Sequence, residues 1–72
     1  MNLKIEYRKY LKDGIEYIGK VNKVDERLFR ETMEELCETR NISIFWQLRK
    51  NGEFFITINL SPAKICRGNI IE

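Results

Sequence analysis

Apolar residues fall on every second position twice in the latter half of the chain. Ile42, Ile44, Trp46 and Leu48 form one set, and Phe54, Ile56, Ile58 and Leu60 form the other. A period of two marks half-buried strands. The break between them, Lys50-Asn51-Gly52, decides their register. A two-residue Asn51-Gly52 turn would send the two apolar sets to opposite sides of the ribbon. A three-residue loop pairs Leu48 with Phe54, Trp46 with Ile56, Ile44 with Ile58 and Ile42 with Leu60. A one-residue slip flips a whole strand, so burying both sets together selects the longer loop, with Gly52 in the left-handed conformation.

The N-terminal segment repeats the device. A Lys12-Asp13-Gly14 loop pairs Leu11 with Ile15, Tyr7 with Gly19 and Ile5 with Val21. Leu3, Ile5, Tyr7, Leu11, Ile15, Tyr17 and Val21 then share the apolar face, and Tyr7 covers the bare backbone of Gly19. Between the hairpins, Leu28, Phe29, Met33, Leu36 and Cys37 recur at helical spacing, with Thr32 on the same stripe. Asp25 is the expected N-cap, the helix is expected to run to about Thr39, and Asn41 is placed to close it.

The predicted element order is ββαββ. It describes an α+β domain in which a four-stranded sheet of two hairpins carries one helix on one face. Residues 1–72 form a single domain, with the core over 1–60 and a C-terminal tail over 61–72. The favoured strand order is 2-1-4-3, with the first and fourth strands parallel at the centre; 1-2-3-4 is the alternative. The favoured order shares its layout with the β-grasp folds, an architectural analogy that carries no function. In the tail, Ser61-Pro62 reads as a helix start. A single turn is expected to end near Gly68, with Ile70 and Ile71 then docking back on the core, the favoured arrangement, or pairing with a sheet edge, or awaiting a partner.

Length and composition fit one small globular unit, with 72 residues and 43% apolar. Apolar runs are too short to cross a bilayer, and "MNLKIEYRKY" lacks the apolar core of a signal peptide, so a cytoplasmic location and no membrane contact are expected. A single alanine beside abundant Ile, Lys, Glu and Asn suggests an AT-rich gene, of the kind carried by phages and archaeal viruses. The sequence contains no histidine and two cysteines. A closed thiolate–imidazole metal site is therefore not expected, and Cys37 reads as a small buried hydrophobe, Cys66 as a free thiol in the tail. No phosphate loop, dinucleotide glycine pattern or nucleophile–base motif occurs. No cofactor, no metal and no catalytic residue are expected, and the chain is not expected to be an enzyme.

What remains is surface. The predicted registers leave one sheet face open, carrying Lys4, Glu6, Arg8, Tyr10, Glu16, Ile18 and Lys20 from the first hairpin. The second contributes Ser43, Phe45, Gln47, Arg49, Glu53, Phe55, Thr57 and Asn59. Phe45, Phe55, Tyr10, Ile18, Arg8, Gln47 and Arg49 are the candidate partner-binding residues, with Phe45 and Phe55 on a diagonal. Glu6–Lys20 and Arg49–Glu53 are expected cross-strand ion pairs. Charge is uneven. The segment from Asp25 to Thr39 holds six acidic and two basic residues, and the rest of the chain holds five acidic and eleven basic ones. Glu31, Glu34, Glu35 and Glu38 therefore mark a second candidate surface, an acidic helix face opposite a basic sheet.

These features point to a small non-catalytic module that binds another protein, as an inhibitor or adaptor, through the open face, an edge strand or the acidic helix. The alternative is a single-stranded nucleic-acid-binding protein that stacks bases on sheet aromatics and holds phosphates with basic side chains. A homodimer through the same surfaces is a third arrangement.

Overall fold

The computed structural model describes residues 2–60 and 64–71. The class is α+β, one helix packed against a mixed sheet. The strands are β1 (Leu3–Leu11), β2 (Gly14–Val21), β3 (Ser43–Arg49), β4 (Glu53–Asn59) and β5 (Cys66–Ile71), and the helix is α1 (Glu26–Arg40). The sheet has five strands, not four, in the order β1-β2-β4-β3-β5. Neither expected order holds, and the β-grasp layout with them. Apolar content explains the change. On β1, Lys4, Glu6, Arg8 and Lys9 suit an edge. On β2, Ile15, Tyr17 and Ile18 pair with Ile58, Ile56 and Phe55 of β4. The strand with more to bury takes the inner place.

Half of the tail, Cys66–Ile71, forms the fifth strand. β5 runs parallel to β3, with Cys66 opposite Ile44, Gly68 opposite Trp46 and Ile70 opposite Leu48. The helical turn expected to reach Gly68 does not extend there, because residues 66–68 are strand; its start at Ser61-Pro62 lies outside the described residues. Ile70 packs against the core, as expected, but as part of a strand. The reason is the same alternation seen elsewhere. Cys66, Gly68 and Ile70 face the helix, and Gly68 lets the Trp46 indole lie flat on the β5 backbone, where any Cβ would collide with its ring.

The second hairpin has the expected register from Leu48 opposite Phe54 through Ile44 opposite Ile58, but the expected Ile42–Leu60 pair does not form: the ladder ends at Ser43 opposite Asn59, and Leu60 is 79% exposed. Its loop is Lys50-Asn51-Gly52, with Gly52 at φ +99°. The first hairpin differs. Leu11 pairs with Gly14 and Tyr10 with Ile15, leaving a two-residue Lys12-Asp13 loop, and a bulge at Glu6 then shifts the register so that Leu3 meets Val21. The helix lies over β3 and β5. Burial therefore exerts little force on the register of β1, eight of whose nine residues are exposed. The turn is tied instead to the end of β4, where Leu60 N–H donates to the Asp13 carbonyl at 3.2 Å. Phe54, not Tyr7, lies over Gly19.

The helix obeys its capping signals. Asp25 accepts from Leu28 N–H at 3.1 Å, and Asn41 takes the left-handed conformation at φ 56°. Phe29, Met33 and Cys37 are buried beneath it, with Ile44, Trp46, Leu48, Phe54 and Ile56 from the sheet and Val21 at the end of β2. Phe29 meets the edge of Trp46 at 5.1 Å between ring centres and tilts against Phe54 at 5.8 Å. The whole core thus sits over β2, β4, β3 and β5.

Candidate functional site

Strand registers alone order the open face into three rows. The first runs Tyr7, Ile18, Phe55, Gln47, Asn69 from β1 to β5. The second runs Lys9, Glu16, Thr57, Phe45, Arg67. Beside them, Lys4, Lys20 and Glu53 lie in register, with Arg49 and Ile71 at the far edge. The expected positions of Ile18, Phe45, Gln47, Arg49 and Phe55 hold. Phe45 is 40% exposed, and Phe55 and Ile18 are half-buried among neighbours on the same face. β5 extends the face and does not cover it.

Arg8 and Tyr10 do not belong to this surface. The two-residue loop turns both to the helix side of β1, in register with Tyr17 and Ile15. There the Arg8 guanidinium lies 5.4 Å from the centre of the Tyr17 ring. A hydrogen bond with Tyr10, then the charges of Tyr10 and Tyr17, hold the Arg8 guanidinium above its ordinary pKa. Tyr7 and Lys9 take their places on the open face. Glu6 sits in the bulge, and Lys4 stands opposite Lys20 in its stead. The basic excess of the face rises accordingly: Lys4, Lys9, Lys20, Arg49 and Arg67 against Glu16 and Glu53.

Arg49 and Glu53 form the expected pair, Nε to Oε1 at 3.6 Å. The guanidinium also lies 5.8 Å from the centre of the Phe55 ring. Both side chains are 43% exposed, so the pair contributes little stability and serves chiefly to orient the arginine. Its Nε is buried with no hydrogen-bond acceptor.

A shallow hollow of about 460 Å³ opens beside Phe45. Phe45, Gln47, Phe55, Thr57, Arg67 and Asn69 line it. Two aromatic rings thus share a concavity with a guanidinium, two amides and a hydroxyl. Arg67 and Asn69 escaped the sequence-based selection because Ser61-Pro62 outweighed the alternation in "CRGNII", which was the available signal.

Glu31, Glu34, Glu35 and Glu38 are all exposed on α1. Glu31 accepts from Arg27 at 3.2 Å. Among the described residues, no three His, Cys, Asp or Glu side chains come close enough to hold a metal ion. Among them, too, no helix is long and apolar enough to cross a membrane. No protein-family model matches this chain, no curated protein matches its sequence and no solved structure matches its fold.

Proposed function

We propose that this chain is a non-catalytic binding module that docks another protein on its open sheet face. The observation that carries this is the aromatic and aliphatic stripe Tyr7–Ile18–Phe55, with Phe45 beside it, on a face that neither the helix nor β5 covers. Such patches on small domains mark interaction sites. The basic side chains around the stripe, and the acidic helix on the far side, favour a partner surface that is apolar at its centre and acidic at its rim. An edge strand or the acidic helix would serve as an alternative docking surface, and charge reversal at Glu34, Glu35 and Glu38 separates the helix from the other two.

A second function rests on a different observation. Arg67 and Asn69 flank Phe45 in the hollow. An aromatic ring for base stacking next to a guanidinium for phosphate fits single-stranded nucleic acid. One experiment addresses both. A photo-crosslinking residue replaces Gln47, and the protein is exposed to host extract. In parallel, labelled single-stranded RNA and DNA are titrated by fluorescence anisotropy at low and at physiological salt. A protein adduct lost on Phe45→Ala and Phe55→Ala supports the protein-docking function. Salt-sensitive nucleic-acid binding weakened about 5- to 150-fold by either substitution, the range expected for one lost stacking contact, replaces it with the second function. A crosslink to a second copy of the chain, with dimers in sedimentation, makes the face a self-association surface. Neither protein adduct nor nucleic-acid binding removes the open face from consideration.

A further inference from the structure

The tail's change from turn to strand brings together two side chains separated by 28 residues of sequence. We infer that Cys37 and Cys66 form a reversible dithiol–disulfide pair whose oxidised state ties β5 to α1. The fold sets up the contact. Cys37 lies on the buried side of α1, 4% exposed, and α1 packs directly on β5. Cys66 opens β5 opposite Ile44, half-buried against the same core cluster. The Cys37 thiol donates to the Ile42 carbonyl at 2.7 Å, which holds its sulfur at the β3 end of the helix. Cys66 packs against the buried cluster that contains Cys37, which brings both thiols to the seam between α1 and β5.

The two thiols are unequal in access, and that gives the exchange an order. A small disulfide such as oxidised glutathione reaches the half-exposed Cys66 first. The Cys66 thiolate attacks one of its sulfurs, breaks the S–S bond and expels one glutathione thiolate. Cys37, giving up its proton, then attacks the Cys66 sulfur of the mixed disulfide and expels the second. The protein loses two protons and two electrons, and one oxidised glutathione becomes two reduced ones. The product closes a loop containing β3 and β4 and fastens an edge strand that carries Arg67 and Asn69. This inference is independent of what the open face binds.

The test is incubation of the folded protein in mixtures of oxidised and reduced glutathione at mildly alkaline pH, read by intact mass and tryptic mapping. The expected product is monomeric and lighter by two hydrogens, and joins the peptide containing Cys37 to the peptide containing Cys66. Its Tm should rise by roughly 15–25 °C, since a closed loop of this length restricts the unfolded chain. Cys37→Ser should stop at a persistent glutathione adduct on Cys66. Cys66→Ser should remain unmodified, because Cys37 alone is shielded. A persistent adduct on wild-type Cys66, a Cys66–Cys66 dimer, or an unmodified wild-type chain each overturns the pairing. The wild-type masses decide the matter even if Cys37→Ser fails to fold.

Discussion

Gly68→Ala is the substitution that tests the fold most directly. The Trp46 indole rests on the Gly68 backbone, so a methyl group there must displace the ring. Trp46 is 3% exposed and is the chain's sole tryptophan. It is held from above by Phe29, and Arg30 lies 5.2 Å from its ring centre. Phe29 has no exposure at all and cannot retreat. Suppose a third of the indole's roughly 200 Å² of buried surface returns to water. At about 25 cal/mol per Å² that costs about 1.7 kcal/mol. Weakening the edge-to-face contact with Phe29 adds about 0.5–1.5 kcal/mol. Against this, alanine in an ordinary strand position would gain a few tenths through the unfolded state. The net loss is about 2–3 kcal/mol, or a Tm lower by roughly 10–20 °C for a domain of this size. Urea titration followed by Trp46 emission reports stability and ring environment together. Asn69→Ala, on the open face of the same strand, is the control and should shift stability by no more than about 0.5 kcal/mol. A Gly68→Ala protein as stable as wild type, with unchanged Trp46 emission, would refute the seating of β5 beside β3.

Two further outcomes follow from local geometry. Asp25→Ala removes the side-chain acceptor for Leu28 N–H and should cost about 1 kcal/mol in chemical denaturation; Asp25→Asn should recover most of it. Burial first, then the charges of Cys37 and Glu34 and a hydrogen bond with Cys37, push the Cys66 thiol above its ordinary pKa of 9.0, against a smaller opposing pull from Arg30. The folded state therefore prefers the neutral thiol. Its contribution is complete below the unfolded pKa and is lost as pH rises through 9 towards the higher folded value. Under reducing conditions, wild type should lose stability relative to Cys66→Ser across that range, and parallel curves would refute this.

The legible parts of this fold were those where burial discriminates between registers. Leu48 and Phe54 are completely buried, and a slip between them would expose both strands' apolar sets, so the second hairpin could be placed from alternation alone. Burial makes no such distinction for Tyr7, Arg8 and Tyr10. Their strand lies beyond the helix, where neither face is deeply buried, and a bulge at Glu6 costs little. Strand order was hidden for another reason: it depends on β2 outcompeting β1 for β4, a comparison between long-range pairings. Within the site, Phe45, Phe55 and Gln47 followed from the legible hairpin. Arg67 and Asn69 did not, because a local capping motif and a strand alternation compete within one short segment.

The helix's position at one end of the sheet also sets how the molecule breathes. Amides of β3 and β4 exchange with solvent only when the shared core opens, so their protection should approach the free energy of global unfolding. β1 contributes one partly buried residue, Leu3, to the packing around that core. Its ladder to β2 can part while β2 stays paired to β4. The β1 amides should therefore exchange through a smaller, sub-global opening, faster than those of β3. Each such opening takes Tyr7 and Lys9 off the face and uncovers the outer edge of β2, so the same surface alternates between a five-stranded and a four-stranded form.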